Sequence, residues 1–128
     1  MSKRIHWYQD KGCVSKRLSA YNAQGRRYKH KPLKLDIVLT WLLGRKPTNC
    51  AYCDRPLTRA NVSFDHRTAL ANSGEHSLAN LTIACRVCNK RKLAVDPVWW
   101  QIFIDFLKKH NRLAWFNVSY RVNWRARR

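Results

Sequence analysis

Two Cys-x-x-Cys pairs, Cys50-Ala51-Tyr52-Cys53 and Cys85-Arg86-Val87-Cys88, constrain this chain more than any other feature. Each pair turns two thiolates toward one point, and the two together suit one tetrahedral Zn2+ on Cys50, Cys53, Cys85 and Cys88. Four thiolates leave no open coordination position, so the expected role of the ion is structural. Cys13 makes the cysteine total odd, which fits thiolates on metal better than a disulfide framework and points to a reducing cytoplasm. Cys13 itself reads as a free thiol.

Between the two pairs lie two short β-prone runs, Val62-Ser63-Phe64-Asp65-His66 and Asn80-Leu81-Thr82-Ile83-Ala84. Residues 69–79, with Asn72-Ser73-Gly74, read as the loop that joins them. Asn89 follows the last cysteine, and the helix-forming residues Lys90, Arg91, Lys92, Leu93 and Ala94 predict a short helix over 89–95. Strand, strand and helix would make a ββα unit. One geometric demand follows from Asp65 and His66 being neighbours. Successive side chains on a strand point to opposite faces, so the strand must end or bend there if both are to reach one substrate.

Outside this centre the chain is strongly basic, with 26 Lys plus Arg against 7 Asp plus Glu and a formal charge of +19. Such an excess calls for a polyanionic partner. No apolar run approaches the roughly 20 residues that cross a bilayer, and the basic start of the chain is not followed by the apolar core of a signal peptide. Residues 1–32 interleave cations, including Arg26, Arg27 and Lys29, with Trp7, Tyr8, Tyr21 and Tyr28 and show no sustained apolar period. They are expected to form a nucleic-acid-binding arm that orders on contact with its ligand. Residues 33–43 predict a helix with Leu35, Val38, Leu39 and Leu42 on one face, stopped by Gly44.

Asp96-Pro97 is a helix start, and Val98, Trp99, Ile102, Phe103, Phe106 and Leu107 form an apolar stripe expected to face the core. Alternation over 116–125 predicts a half-buried strand, followed by a basic tail that includes Arg127 and Arg128. The chain thus divides into a basic arm (1–32), a central core (33–95) and a C-terminal helix, strand and tail (96–128). The tryptophans read mostly as core anchors, with Trp7 and Trp124 placed to stack on nucleic acid. His76 reads as a solvated loop residue.

The order Cys-Cys, Asp65-His66, Asn80, Cys-Cys-Asn89 and Lys92 resembles the HNH endonucleases, in their zinc-stabilised four-cysteine form. The resemblance covers residues 50–92 and a helical lead-in from about residue 35. It implies a ββα-metal core, and with the flanking helices, C-terminal strand and basic arms read from the residues the expected fold is α+β. It also implies metal-dependent hydrolysis of phosphodiester bonds in duplex DNA, leaving 5′-phosphate and 3′-hydroxyl ends.

In that resemblance His66 is the general base, and Asp65 and Asn89 hold the catalytic cation. Asn89 stands where many members carry a final histidine, so the chain looks like an HNN variant. Oxygen donors favour Mg2+ or Mn2+. Asn80 is the middle asparagine that braces the loop around the base, and Lys90, Arg91 and Lys92 are expected to grip phosphate. Arg67 is a further candidate for phosphate contact, at a position where members often have an apolar residue. The compact basic form looks like phage or homing endonucleases, which act in the bacterial host cytoplasm. The alternatives are a non-catalytic zinc-ribbon-like DNA- or RNA-binding protein, an RNA-directed factor or RNase, and a nuclease controlled by a protein partner.

Overall fold

Val62–His66 (β1) and Leu81–Cys85 (β2) pair antiparallel in a computed structural model that describes residues 5–110 and 112. Val62 lies opposite Cys85, Phe64 opposite Ile83 and His66 opposite Leu81. The period-2 alternation of a strand sends Val62, Phe64, His66, Leu81 and Ile83 to one face of the hairpin and Ser63, Asp65, Thr82 and Ala84 to the other, while Cys85, the last residue of β2, joins the cysteine cluster. Each face then builds its own core.

The first core packs Val62, Phe64, Leu81 and Ile83 against Trp7 and Tyr8, against Val14, Leu18 and Tyr21 of helix α1 (Lys11–Arg27), and against Val38 and Leu42 of helix α2 (Leu35–Arg45). The expected basic arm is therefore largely structural: residues 11–27 are helical, and their buried positions Val14, Leu18, Tyr21, Asn22 and Gly25 follow a helical spacing. Its period was hidden because two of those five buried positions are the non-apolar Asn22 and Gly25. Asp10 caps α1 by accepting from the Cys13 amide and is held by Arg59 at 2.7 Å. Trp7 is buried and donates its indole N–H to the Pro47 carbonyl at 2.9 Å, so it does not face nucleic acid. Helix α2 buries the expected face but runs through Gly44, and its left-handed end falls on Lys46.

The second core joins Cys50, Tyr52, Cys53, Ala84, Cys85 and Cys88 to Trp100, Ile104 and Leu107 of helix α4 (Pro97–Lys109). Asp96 caps α4 as expected, accepting from the Val98 amide. The face it buries shares only Leu107 with the expected stripe. Trp100, Ile104 and Leu107 are inside, whereas Val98, Trp99, Ile102, Phe103 and Phe106 are exposed. The short helix α3 (Arg86–Lys92) starts three residues before its expected position, directly at Cys85, whose sulfur accepts from the Cys88 amide. The expected strand at 116–125, with Trp124, and the basic tail with Arg127 and Arg128 lie outside the described residues. Among the described residues no helix is long and apolar enough to cross a membrane.

Candidate active site and zinc cluster

The four cysteine sulfurs lie within 4.8 Å of one another, and all four residues are buried. A tetrahedral ion with bonds of about 2.3 Å sets its sulfurs about 3.8 Å apart, and Cys53 Sγ and Cys85 Sγ are separated by 3.8 Å. The donor set thus fits Zn2+. The first knuckle is fastened to the hairpin by the Ala51 amide, which donates to the Ile83 carbonyl at 3.0 Å. A structural ion here would join that knuckle, β2 and the start of α3.

Asp65 and His66 stand at the C-terminal end of β1 and face opposite sides of the hairpin, yet both line one open cleft of about 570 Å3. The strand end resolves the geometric demand, because a cleft wrapped around the last two residues meets both faces. Asn89 and Lys90 of α3, Gln24 and Arg27 of α1, Tyr28, and Ala69, Leu70 and Ala71 of the loop between the strands also line the cleft.

On its own face Asp65 is nearly enclosed. Its Oδ2 accepts from the Tyr52 hydroxyl at 2.8 Å and lies 3.4 Å from Lys92 Nζ, contacts that do not use Oδ1. Burial raises its pKa, and Lys92 and Tyr52 oppose that rise. Asn89 is oriented by Ser63, whose hydroxyl oxygen accepts from Asn89 Nδ2. The Asn89 carboxamide oxygen and Asp65 Oδ1 are of the donor type that could hold a hard cation.

His66 is buried on the other face, with its ring stacked on Tyr21 at 3.9 Å between centroids and 15° between planes. Burial, followed by the charges of His76, His30 and Lys92, pushes its pKa down to about 4. The ring is neutral at pH 7, the form that accepts a proton. Its Nε2 is 2.9 Å from Nδ1 of His76. His76 is buried, not solvated, because α1 covers it.

Asn80 braces the loop between the strands with its whole amide. Its Nδ2 donates to the carbonyls of Thr68 at 2.9 Å and Glu75 at 2.7 Å, and its Oδ1 accepts from the Thr68 amide at 2.9 Å. Gly74 fits beneath, where a Cβ would come within 1.9 Å of the Thr68 carbonyl oxygen.

The candidate phosphate-binding residues separate into two groups. Arg26, Arg27, Lys29, Arg67 and Lys90 are exposed, and Arg27 and Lys90 reach the cleft. Arg91 is half-buried. Lys92 is fully buried with its ammonium turned to Asp65 and to the His66 carbonyl at 3.1 Å, so the expected grip on phosphate gives way to an internal role. Cys13 is a free thiol outside the cluster.

Tyr52, Ser63, Asn22 and His76 are site residues that the linear motif did not reveal. Ser63 had a readable signal, since it shares the Asp65 face by strand alternation. Asn22 and His76 had none, being brought together only by the packing of α1.

Residues 50–94, which carry the four cysteines, Asp65, His66, Asn80 and Asn89, match the HNH endonuclease family. This segment is an HNH endonuclease domain with a ββα core. Over 72 residues the chain is 33% identical to the CRISPR-associated endonuclease Cas9 of Corynebacterium diphtheriae; the alignment covers 56% of this chain and 6% of that relative. The family match leaves out α1, the helix that supplies Tyr21, Asn22, Arg27 and the floor under His76.

Proposed function

We propose that this protein is a metal-dependent endonuclease that hydrolyses phosphodiester bonds in duplex DNA. The observation that carries this reading is the convergence of a neutral histidine, a carboxylate and an oriented carboxamide on one cleft with Arg27 and Lys90 on its walls. The Corynebacterium relative is named an endonuclease, which agrees with this reading.

His66 takes a proton from water, and the hydroxide so formed attacks phosphorus in line with the bond to the 3′ oxygen. That bond breaks, and the 3′ oxygen takes up a proton from solvent to leave 5′-phosphate and 3′-hydroxyl ends. Asp65 and Asn89 would hold Mg2+ or Mn2+, and the bound cation would supply positive charge against the phosphoryl and leaving oxygens. Arg27 and Lys90 neutralise the flanking phosphates, and Arg26, Lys29 and Arg67 extend the basic surface beyond the cleft. Asn80 keeps the loop beside His66 in place. The phage or homing-type reading draws on the compact, basic chain, with the bacterial cytoplasm as its place of action.

A plasmid-nicking assay in Mg2+ tests the proposal. The parent should nick, His66→Ala should lose roughly a hundredfold or more of the rate, and Asn89→Ala should lose cleavage at limiting Mg2+ while binding DNA. Equal cleavage by parent and His66→Ala would remove the histidine from the mechanism. DNA binding with no cleavage by the parent would favour a zinc-ribbon-like binder, and preferential cleavage of labelled RNA at matched salt would redirect the substrate.

A further inference from the structure

His66 does not end in solvent on its buried side. It begins a chain of hydrogen bonds that crosses to α1: His66 Nε2 lies 2.9 Å from His76 Nδ1, and His76 Nε2 lies 2.8 Å from Asn22 Oδ1. Asn22 is itself locked by the backbone of Leu33, donating through Nδ2 to its carbonyl at 3.0 Å and accepting at Oδ1 from its amide at 2.9 Å. The Asn22 oxygen can only accept, so the hydrogen between it and His76 sits on His76 Nε2. A neutral imidazole carries one N–H, which leaves His76 Nδ1 as an acceptor and puts the next hydrogen on His66 Nε2. The bare nitrogen of His66 is then Nδ1.

We propose that His76, oriented by Asn22, is a positioning residue that fixes His66 in the tautomer protonated on Nε2, keeping Nδ1 as the basic atom for the cleft. The role of that base rests on the reading of the chain as a nuclease; the tautomer does not. A second observation supports a built relay. Gly25 lies in the last turn of α1, where alanine would still favour the helix by at most about 1 kcal/mol, yet a Cβ at Gly25 would come within 2.8 Å of three atoms of the His76 ring. The helix forgoes its better residue at the place where the imidazole must approach. Asn80 adds a third constraint, since its Nδ2 donates to the carbonyl of Glu75, the residue before His76.

The test uses the zinc-loaded full chain. Long-range proton–nitrogen NMR spectra without Mg2+ should show both His66 and His76 protonated on Nε2. In His76→Ala, His66 should pass to a tautomer mixture, and kcat for plasmid nicking in Mg2+ should fall roughly ten- to hundredfold, with KM for DNA changed by less than about twofold. His76→Gln, whose amide can accept from His66 and donate to Asn22, should restore the tautomer and most of kcat. Gly25→Ala keeps the helix, displaces the ring and should reproduce the His76→Ala spectrum, which carries the test if His76→Ala does not fold.

A parent protein with its His66 proton on Nδ1 overturns the proposal. So does a His66 tautomer unmoved in both His76→Ala and Gly25→Ala, even if the parent cuts DNA, and that result leaves the nuclease reading standing. The expected spectra with no cleavage by the parent support the relay and count against the nuclease reading.

Discussion

Lys92 Nζ lies 3.4 Å from Asp65 Oδ2 in the protein interior, and the Lys92 side chain is entirely withdrawn from solvent. The same ammonium donates to the His66 carbonyl, so one cation supports both neighbouring residues of the site. A buried pair of this kind costs more when it is halved than when it is absent, because the survivor keeps its charge without a partner. Lys92→Met should destabilise the fold by about 3 kcal/mol, and adding Asp65→Asn should recover part of that loss. Urea denaturation of the two single variants and the double variant measures the coupling. If Lys92→Met instead weakened DNA binding with stability unchanged, the ammonium would belong to the phosphate surface.

A zinc ion on the four clustered cysteines would tie the first knuckle, β2 and α3 at one point, and assembling four thiolates is coupled to folding. Chelation should lower the melting temperature sharply and expose the second core, including Trp100. Tryptophan emission and circular dichroism of stoichiometrically zinc-free protein report this, and coincident melts with and without zinc would contradict it.

Gly74→Ala must relieve an approach of 1.9 Å to the Thr68 carbonyl by moving loop backbone, since the obstructing atom is not a flexible side chain. A cost of about 2 kcal/mol is expected, together with faster amide exchange at Thr68, whose N–H is held by Asn80. Asn80→Ala removes three hydrogen bonds from the same loop and should give the larger exchange effect. Exchange rates at Thr68 equal to the parent in both variants would show that the brace is dispensable.

Acid should weaken the fold through the buried imidazole. His66 titrates near 4 when folded and near 6.5 when unfolded. The unfolded chain therefore binds a proton in this window that the folded chain refuses. Stability is complete above about pH 6.5 and falls as pH drops toward 4, by up to about 3 kcal/mol for this group. His76, lowered chiefly by burial, acts in the same direction, whereas Asp65, raised chiefly by burial, acts against it. The difference in urea stability between parent and His66→Gln cancels the cysteine cluster common to both. That difference should change between pH 6.5 and 4.5; a constant value would refute the assignment.

Much of the hairpin was legible because its determinants are local. Alternation and β-branched or aromatic residues marked Val62–His66 and the start of β2, and the spacing of the cysteines marked the cluster. Helix α4 was misread for a physical reason: apolar residues occupy most of its circumference, so a periodic stripe did not say which face meets the zinc core. Helix α1 was missed because its buried stripe includes Asn22 and Gly25, whose value lies in what they touch.

By itself the order of residues determined which groups can bind metal or accept a proton, since thiolate, carboxylate and imidazole chemistry belongs to the side chain. Whether those groups share one space depended on contacts between segments distant along the chain. Tertiary packing turned Lys92 inward, put His76 between α1 and His66, and shaped the cleft around a strand end. Burial and hydrogen-bond direction are properties of the surroundings, and a linear pattern does not contain them.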